Sequence, residues 1–122
     1  MGKIEISDDA AYTRELLKKI MKETQHEVVA EATTGDEAVQ LYKQVKPDLV
    51  FLDIVMPAGK NTVNGMEALK LILEEDPGAK VVICSALEQN VLIEEAMKLG
   101  AKDFIAKPIM PERILEALSK YC

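Results

Sequence analysis

Short runs rich in Val, Ile and Leu alternate along the chain with longer segments in which apolar residues recur at three- and four-residue spacing. The runs fall at 28–32, 49–52, 81–84 and 104–106, with a weaker one at 3–7. Between them Tyr12, Leu16, Leu17, Ile20 and Met21 form one stripe, and Ala38, Leu41, Tyr42 and Val45 a second. Met66, Leu69, Ile72 and Leu73 form a third, and Val91, Ala96, Met97 and Leu99 a weaker fourth. Ile114, Leu115, Leu118 and Tyr121 close the series. Continuous apolar runs suit parallel strands covered on both faces, whereas the stripes place their residues on one face of a helix. The punctuation agrees: Gly35-Asp36 opens the second helix and Lys46-Pro47-Asp48 closes it. Asp76-Pro77-Gly78 and Leu99-Gly100-Ala101 end the third and fourth helices, and Pro111 suits the first turn of the last. The pattern predicts an α/β fold of five β/α pairs, a parallel sheet in a three-layer sandwich with right-handed crossovers.

The length of 122 residues has room for one domain, expected to span 1–122. The net charge of −6, without any stripe of Lys or Arg, argues against nucleic-acid binding by this chain. No apolar run is long enough to cross a bilayer, and the first residues lack a signal-peptide stretch, so a cytoplasmic location is expected. Cys84 and Cys122 lack metal-ligand spacing. Cys84 reads as an inert core thiol, and Cys122 as a site of adventitious oxidation between chains. His26 reads as a surface residue outside any constellation.

In such a sheet ligands bind beyond the carboxyl ends of the strands, where the strand order reverses. The residues predicted at those ends are Asp8, Asp9, Asp53, Ser85 and Lys107. Taken singly, each has a plain explanation. An Asp pair after a strand caps a helix, an Asp before a loop makes a turn, and a lone Ser or a Lys before Pro108 says little. Taken together, each in order at its own strand end, they form a coherent chemical set. Two carboxylates ~4 Å apart repel by on the order of 4 kcal/mol at an effective dielectric of about 20. Clustered carboxylates on rigid strand ends therefore want a hard divalent cation, and Mg2+ takes oxygen ligands while keeping some water. Carboxylate, cation, ammonium and hydroxyl together suit a phosphoryl group, whose transfer needs positioning and charge neutralisation. Asp53 is the natural nucleophile.

The sequence resembles the receiver domains of two-component response regulators, and among them the single-domain chemotaxis regulators of the CheY type. The resemblance covers essentially the whole chain. It is carried by Asp8-Asp9-Ala10-Ala11-Tyr12, by Val28-Val29-Ala30-Glu31-Ala32 with Gly35, and by Lys46-Pro47-Asp48-Leu49-Val50. Further matching stretches are Leu52-Asp53-Ile54-Val55-Met56-Pro57, Cys84-Ser85-Ala86 and Gly100-Ala101-Lys102-Asp103-Phe104-Ile105-Ala106-Lys107-Pro108. It implies a flavodoxin-like (βα)5 fold with strand order 2-1-3-4-5. It implies that Asp53 accepts a phosphoryl group from a sensor histidine kinase, a phosphotransfer protein or a small phosphodonor. Mg2+ would then be held by Asp9, Asp53 and the Val55 backbone carbonyl directly, and by Asp8 through water. Lys107 would pair with the phosphoryl group, with a cis peptide to Pro108, and Ser85 would move to hydrogen-bond it. Phe104 would swing inward and change the surface of the fourth helix, fifth strand and fifth helix for a downstream protein. Phe104 also reads as a plain core aromatic, and without a hydroxyl any switch through it works by packing. The implied protein is a signalling switch that catalyses only its own phosphorylation and dephosphorylation.

Two features depart from that pattern. The first strand, Lys3-Ile4-Glu5-Ile6-Ser7, carries a Glu where the family is apolar. Glu5 must lie at the wet end of its strand, find a partner, or displace the strand and with it Asp8 and Asp9. The loop between Pro57 and Gly65 has seven residues, Ala58 to Asn64, where three are usual. With aliphatic Val55 and Leu87 nearby, it is expected to slow dephosphorylation. Gly59-Lys60-Asn61-Thr62 fails as a phosphate-binding loop, because Ile54 occupies the first Gly position and Asn61 separates Lys60 from Thr62. Three rival readings follow from the sequence. A Mg2+-dependent phosphatase or phosphotransferase would need a second carboxylate beyond Asp53 and a cap domain, but Ile54 and Val55 follow. A degenerate receiver acting as a phosphorylation-independent binding module would follow from a displaced first strand. The receiver could also be a fragment of a longer regulator with an output domain.

Overall fold

The computed structural model describes residues 2–57, 59–60 and 64–122. The strands are β1 (Lys3–Ser7), β2 (Glu27–Ala32), β3 (Leu49–Leu52), β4 (Val81–Ala86) and β5 (Asp103–Lys107). The helices are α1 (Ala11–Lys22), α2 (Gly35–Val45), α3 (Gly65–Glu75), α4 (Asn90–Leu99) and α5 (Pro111–Tyr121), with a 3-10 turn at Leu87–Gln89 before α4. All five strands are parallel, in the order β2-β1-β3-β4-β5. The predicted flavodoxin-like architecture is therefore the observed one.

Alternation along the strands builds two cores. Ile4, Ile6, Leu49, Phe51, Val82 and Cys84 point toward α1 and α5, meeting Leu17, Met21, Ile114 and Leu118. Val50, Leu52, Val81 and Ile83 point the other way, onto Ala38 and Tyr42 of α2, Leu69 and Ile72 of α3, and Ile93 of α4. Burying each Leu or Ile of these layers contributes about 1.5–3 kcal/mol relative to exposure. Sheet and helices are thus locked on both sides, which makes the strand ends a rigid platform.

Helix ends are fixed by local chemistry. The Thr34 side chain accepts from the Glu37 amide, and Glu37 Oε1 accepts in return from the Thr33 amide at 2.7 Å, a reciprocal cap on α2. Asn64 caps α3 by accepting from the Glu67 amide. Gly100 ends α4 at φ 128, and a Cβ there would stand 3.2 Å from Leu73 Cδ1.

β1 is not displaced. It lies between β2 and β3, with a bulge in the β2 register between Ile4 and Glu5. Nor does Glu5 sit at a wet end, since its exposure is 0 %. Of the three outcomes open to it the observed one is a partner: Ser7 Oγ donates to Glu5 Oε2 at 3.0 Å. Cys84 is buried and its thiol is pushed up to about 12 by burial, as suits an inert core position. His26 departs from expectation. It is half-buried, and its Nδ1 is enclosed without a hydrogen-bond partner, near Gly2 and Cys122. Among the described residues no helix is long and apolar enough to cross a membrane.

Candidate functional site

Asp8 follows β1 and Asp53 follows β3, on adjacent strands, so the sheet itself brings them together. The ladder continues past the strands: the Asp53 amide donates to the Ser7 carbonyl at 2.9 Å, and the Asp8 amide to the Ala32 carbonyl at 3.0 Å. Asp9 completes an acidic group in which one ligand oxygen from each of Asp8, Asp9 and Asp53 lies within 4.8 Å of the others. Asp8 and Asp53 are buried and Asp9 is exposed, so the cluster opens to solvent on one side.

Lys107, the last residue of β5, reaches across β4 into this group. Its Nζ lies 2.9 Å from Asp8 Oδ2 and 3.1 Å from Asp53 Oδ2. The peptide to Pro108 is cis, as expected. Burial lowers the pKa of the Lys107 ammonium, but the hydrogen bond to Asp8 and the charges of Asp53 and Asp8 outweigh it, leaving the group above its ordinary value. Burial dominates at Asp53 and holds its carboxyl above the usual range, although the Val55 amide and the Lys107 charge pull the other way. One ammonium among three carboxylates leaves two negative charges uncompensated. An all-oxygen donor set with that charge fits a hard divalent cation.

The turn after β3 is pinned from several sides. The Val55 amide donates to Asp53 Oδ1 at 2.9 Å, which fixes the carboxylate's orientation. Pro57 O accepts from the Gly35 amide and Met56 O from the Gly65 amide, tying the turn to the starts of α2 and α3. Val55 itself is 51% exposed at the rim. Ser85 lies in β4, two residues past Ile83, which pairs with Leu52. It is buried, and its Oγ has no hydrogen-bond partner. A hydroxyl held dry and unsatisfied beside a charged cluster is a donor awaiting an acceptor.

Phe104 lies on β5 opposite Ile83, partly buried against the α2–α4 core. Its carbonyl accepts from Arg113 Nη2 of α5 at 2.8 Å, so its backbone is fixed while its ring lies at the core's margin. Residues 58 and 61–63 of the long loop, and the side chain of Leu87, lie outside the described residues. The expected slowing of dephosphorylation by this loop and Leu87 falls on these residues.

Two contributors escape sequence reasoning. Arg14 Nη1 donates to the Asp8 carbonyl at 2.8 Å and its Nε to Glu31 Oε1 at 3.3 Å, clamping the backbone between the two acids. Gly65 lets α3 approach the turn: a Cβ there would stand 2.3 Å from the Asp53 carbonyl oxygen and 2.6 Å from Ile54 backbone atoms. A glycine at a helix start was the available signal for the second; nothing in the spacing marked the first.

Comparison with known proteins places this geometry. Residues 4–119 match the family model described as the response regulator receiver domain. The chain is 50% identical over 121 residues to "Chemotaxis protein CheY" of Thermotoga maritima, covering 98% of each. It is 51% identical over 120 residues to the protein of that name from Listeria monocytogenes, again with 98% of each covered. Among solved structures it is similar to the CheX-CheY-BeF3-Mg+2 complex from Borrelia burgdorferi. There the TM-score is 0.86 at 33% identity, over 95% of this chain and 85% of that one. The chain belongs to the response regulator receiver domain family, the phosphorylation-activated switches of two-component signalling.

Proposed function

We propose that Asp53 is the phospho-acceptor and that Asp9, Asp53 and the Val55 carbonyl hold Mg2+ directly, with Asp8 acting through water. The observation that carries this reading is the ammonium of Lys107 within hydrogen-bonding distance of both Asp8 and Asp53. A single cation from a distant strand end, aimed between two buried acids, presets the charge balance that a phosphoryl group needs.

Bound Mg2+ supplies neutralisation of the phosphoryl oxygens. An Asp53 carboxylate oxygen attacks phosphorus, and the bond from phosphorus to the donor atom breaks. That atom is the nitrogen of a kinase or phosphotransfer-protein phosphohistidine, or an oxygen of a small phosphodonor. It leaves with the bonding electron pair and takes a proton from solvent. Lys107 pairs with the new phosphoryl group, and the Ser85 hydroxyl donates to one of its oxygens, satisfying the orphaned Oγ. Phe104 follows inward by packing, altering the α4/β5/α5 face. The chain turns over no external substrate and catalyses only its own phosphorylation and dephosphorylation.

The partners this implies are a sensor histidine kinase or phosphotransfer protein and a downstream protein on the α4/β5/α5 face. Val91 and Met97 of α4 are exposed apolar residues available to such a partner. The names of the similar proteins support a role in chemotaxis, and a cytoplasmic place of work belongs to the same reading. The reading is tested by phosphoryl uptake from a small phosphodonor with Mg2+ or with chelator, followed by hydroxylamine. An acyl phosphate forms only with Mg2+ and is released by hydroxylamine. A label that survives hydroxylamine lies on another residue type and overturns the assignment.

A further inference from the structure

Glu5 sits in the middle of β1, paired on one side with Ala30 of β2 and on the other with Val50 of β3. Its side chain faces the α2–α4 core with Val50, Ala30 and, one pair further on, Leu52 and Ala32. Its exposure is 0 % and, among the described residues, its carboxylate's one hydrogen bond is the 3.0 Å contact from Ser7 Oγ to Oε2; Oε1 is buried without a partner. No Lys, Arg or His among the described residues forms an ion pair with it. The titratable group that faces it from α2 is the Tyr42 phenol, whose hydroxyl donates to Asp76 Oδ2 at 2.8 Å beyond the end of α3. That surrounding offers an ionised carboxylate one hydroxyl donor and no cation.

An anion in such a place keeps little of its hydration and gains almost nothing back, so it neutralises by taking a proton. A neutral carboxyl still carries an O–H donor and acceptor sites to satisfy, but its burial costs far less than that of the anion. The burial of Glu5 is reflected in a carboxyl pushed up to about 8, the Ser7 hydroxyl pulling it down only in part.

The position matters because Ser7 belongs to two systems. Its hydroxyl is the partner of the Glu5 carboxylate among the described residues, its carbonyl accepts the Asp53 amide at 2.9 Å, and its own peptide leads into Asp8. We propose that Glu5 is a proton-binding site inside the sheet. In this reading it holds a proton in the folded protein at neutral pH, and losing that proton shifts the Ser7 end of β1, which anchors Asp53. The inference stands apart from phosphorylation, because it concerns a proton on Glu5 and the resting position of the Asp53 amide.

The experiment is a pH titration of the whole chain without Mg2+, following the Glu5 carboxyl carbon and the Asp53 amide by NMR, in wild type and in Glu5→Gln. The expected result is a Glu5 midpoint above pH 7, against an ordinary value of 4.5. The Asp53 amide should report a transition at the same midpoint that disappears in Glu5→Gln. A Glu5 midpoint below pH 7 overturns the proposal, as does an Asp53 amide that shows no transition at the Glu5 midpoint or one that Glu5→Gln leaves unchanged. Should Glu5→Gln not fold, the wild-type carboxyl midpoint decides the matter alone. Neither readout depends on whether Asp53 accepts a phosphoryl group.

Discussion

Lys107 Nζ lies 3.1 Å from Asp53 Oδ2, although 54 residues separate the two in sequence. Only the strand order makes that contact, and it sets the charge state of the acidic pocket before any ligand arrives. Replacing Lys107 by Met removes the counter-charge while leaving the carboxylates buried. Asp53, already raised by burial, should then rise further. An attacking carboxylate must be ionised, so phosphoryl uptake is lost as pH falls through the Asp53 value. The acid limb of uptake at fixed Mg2+ should therefore move to higher pH in Lys107→Met, and an unmoved limb contradicts the electrostatic role.

Asp9 is the exposed member of the acidic group. Converting it to Asn removes one repulsive charge, which should leave the metal-free protein as stable as wild type or slightly more so. It should also abolish stabilisation by Mg2+, which at about 100 times the dissociation constant is worth roughly 2.7 kcal/mol. Urea unfolding with and without Mg2+ measures both. Equal Mg2+ stabilisation of the two proteins would remove Asp9 from the site.

Ser85 gives a prediction that separates stability from chemistry. Its Oγ is buried without a partner in the unphosphorylated fold, so Ser85→Ala should change unfolding free energy by less than about 1 kcal/mol. Phosphoryl uptake should slow. A loss well above that figure in urea unfolding means that the hydroxyl already has a partner.

Much of this was legible in the sequence, and for a physical reason. Strands covered on both faces are mostly apolar, so Leu49 to Leu52 and Val81 to Cys84 announced themselves; Asp53 marks the end of β3, whereas β4 runs on through Ser85 to Ala86. Glu5 was legible as an anomaly in a strand covered on both faces, but which of its three outcomes held was not, because periodicity says which face a side chain takes and nothing about what meets it there. Its neighbour Ser7, also facing the core, was the companion signal, and its meaning depended on seeing that no cation approaches. Arg14 escaped because its target is a backbone carbonyl, which leaves no trace in residue spacing.

The buried carboxyl of Glu5 has a stability signature with a definite sign. Its folded value of about 8 is raised above the ordinary 4.5. Below pH 4.5 both states hold the proton and its contribution is complete. Between those two values the unfolded chain has lost the proton and the folded one keeps it, so stability falls by at most about 1.4 kcal/mol per pH unit. Wild type should therefore lose stability relative to Glu5→Gln as pH rises from 5 to 8. Parallel pH profiles from urea midpoints would contradict a neutral buried acid.

Gly65→Ala tests how tightly α3 is seated on the turn that carries Asp53. The added Cβ meets backbone atoms 2.3 and 2.6 Å away, which cannot rotate aside. The strain should cost about 1–3 kcal/mol in urea unfolding. It should also weaken Mg2+ binding, because the Asp53 carbonyl is what must move. A variant with wild-type stability and wild-type Mg2+ affinity would show that the close approach is not a constraint.

The central claim is that Asp53 takes the phosphoryl group, and intact-mass spectrometry after incubation with Mg2+ and a small phosphodonor tests it most directly, beside Asp53→Asn. The account predicts one phosphoryl group on the wild type and none on the variant. A folded wild type that gains nothing, or a variant that gains as much, would contradict it.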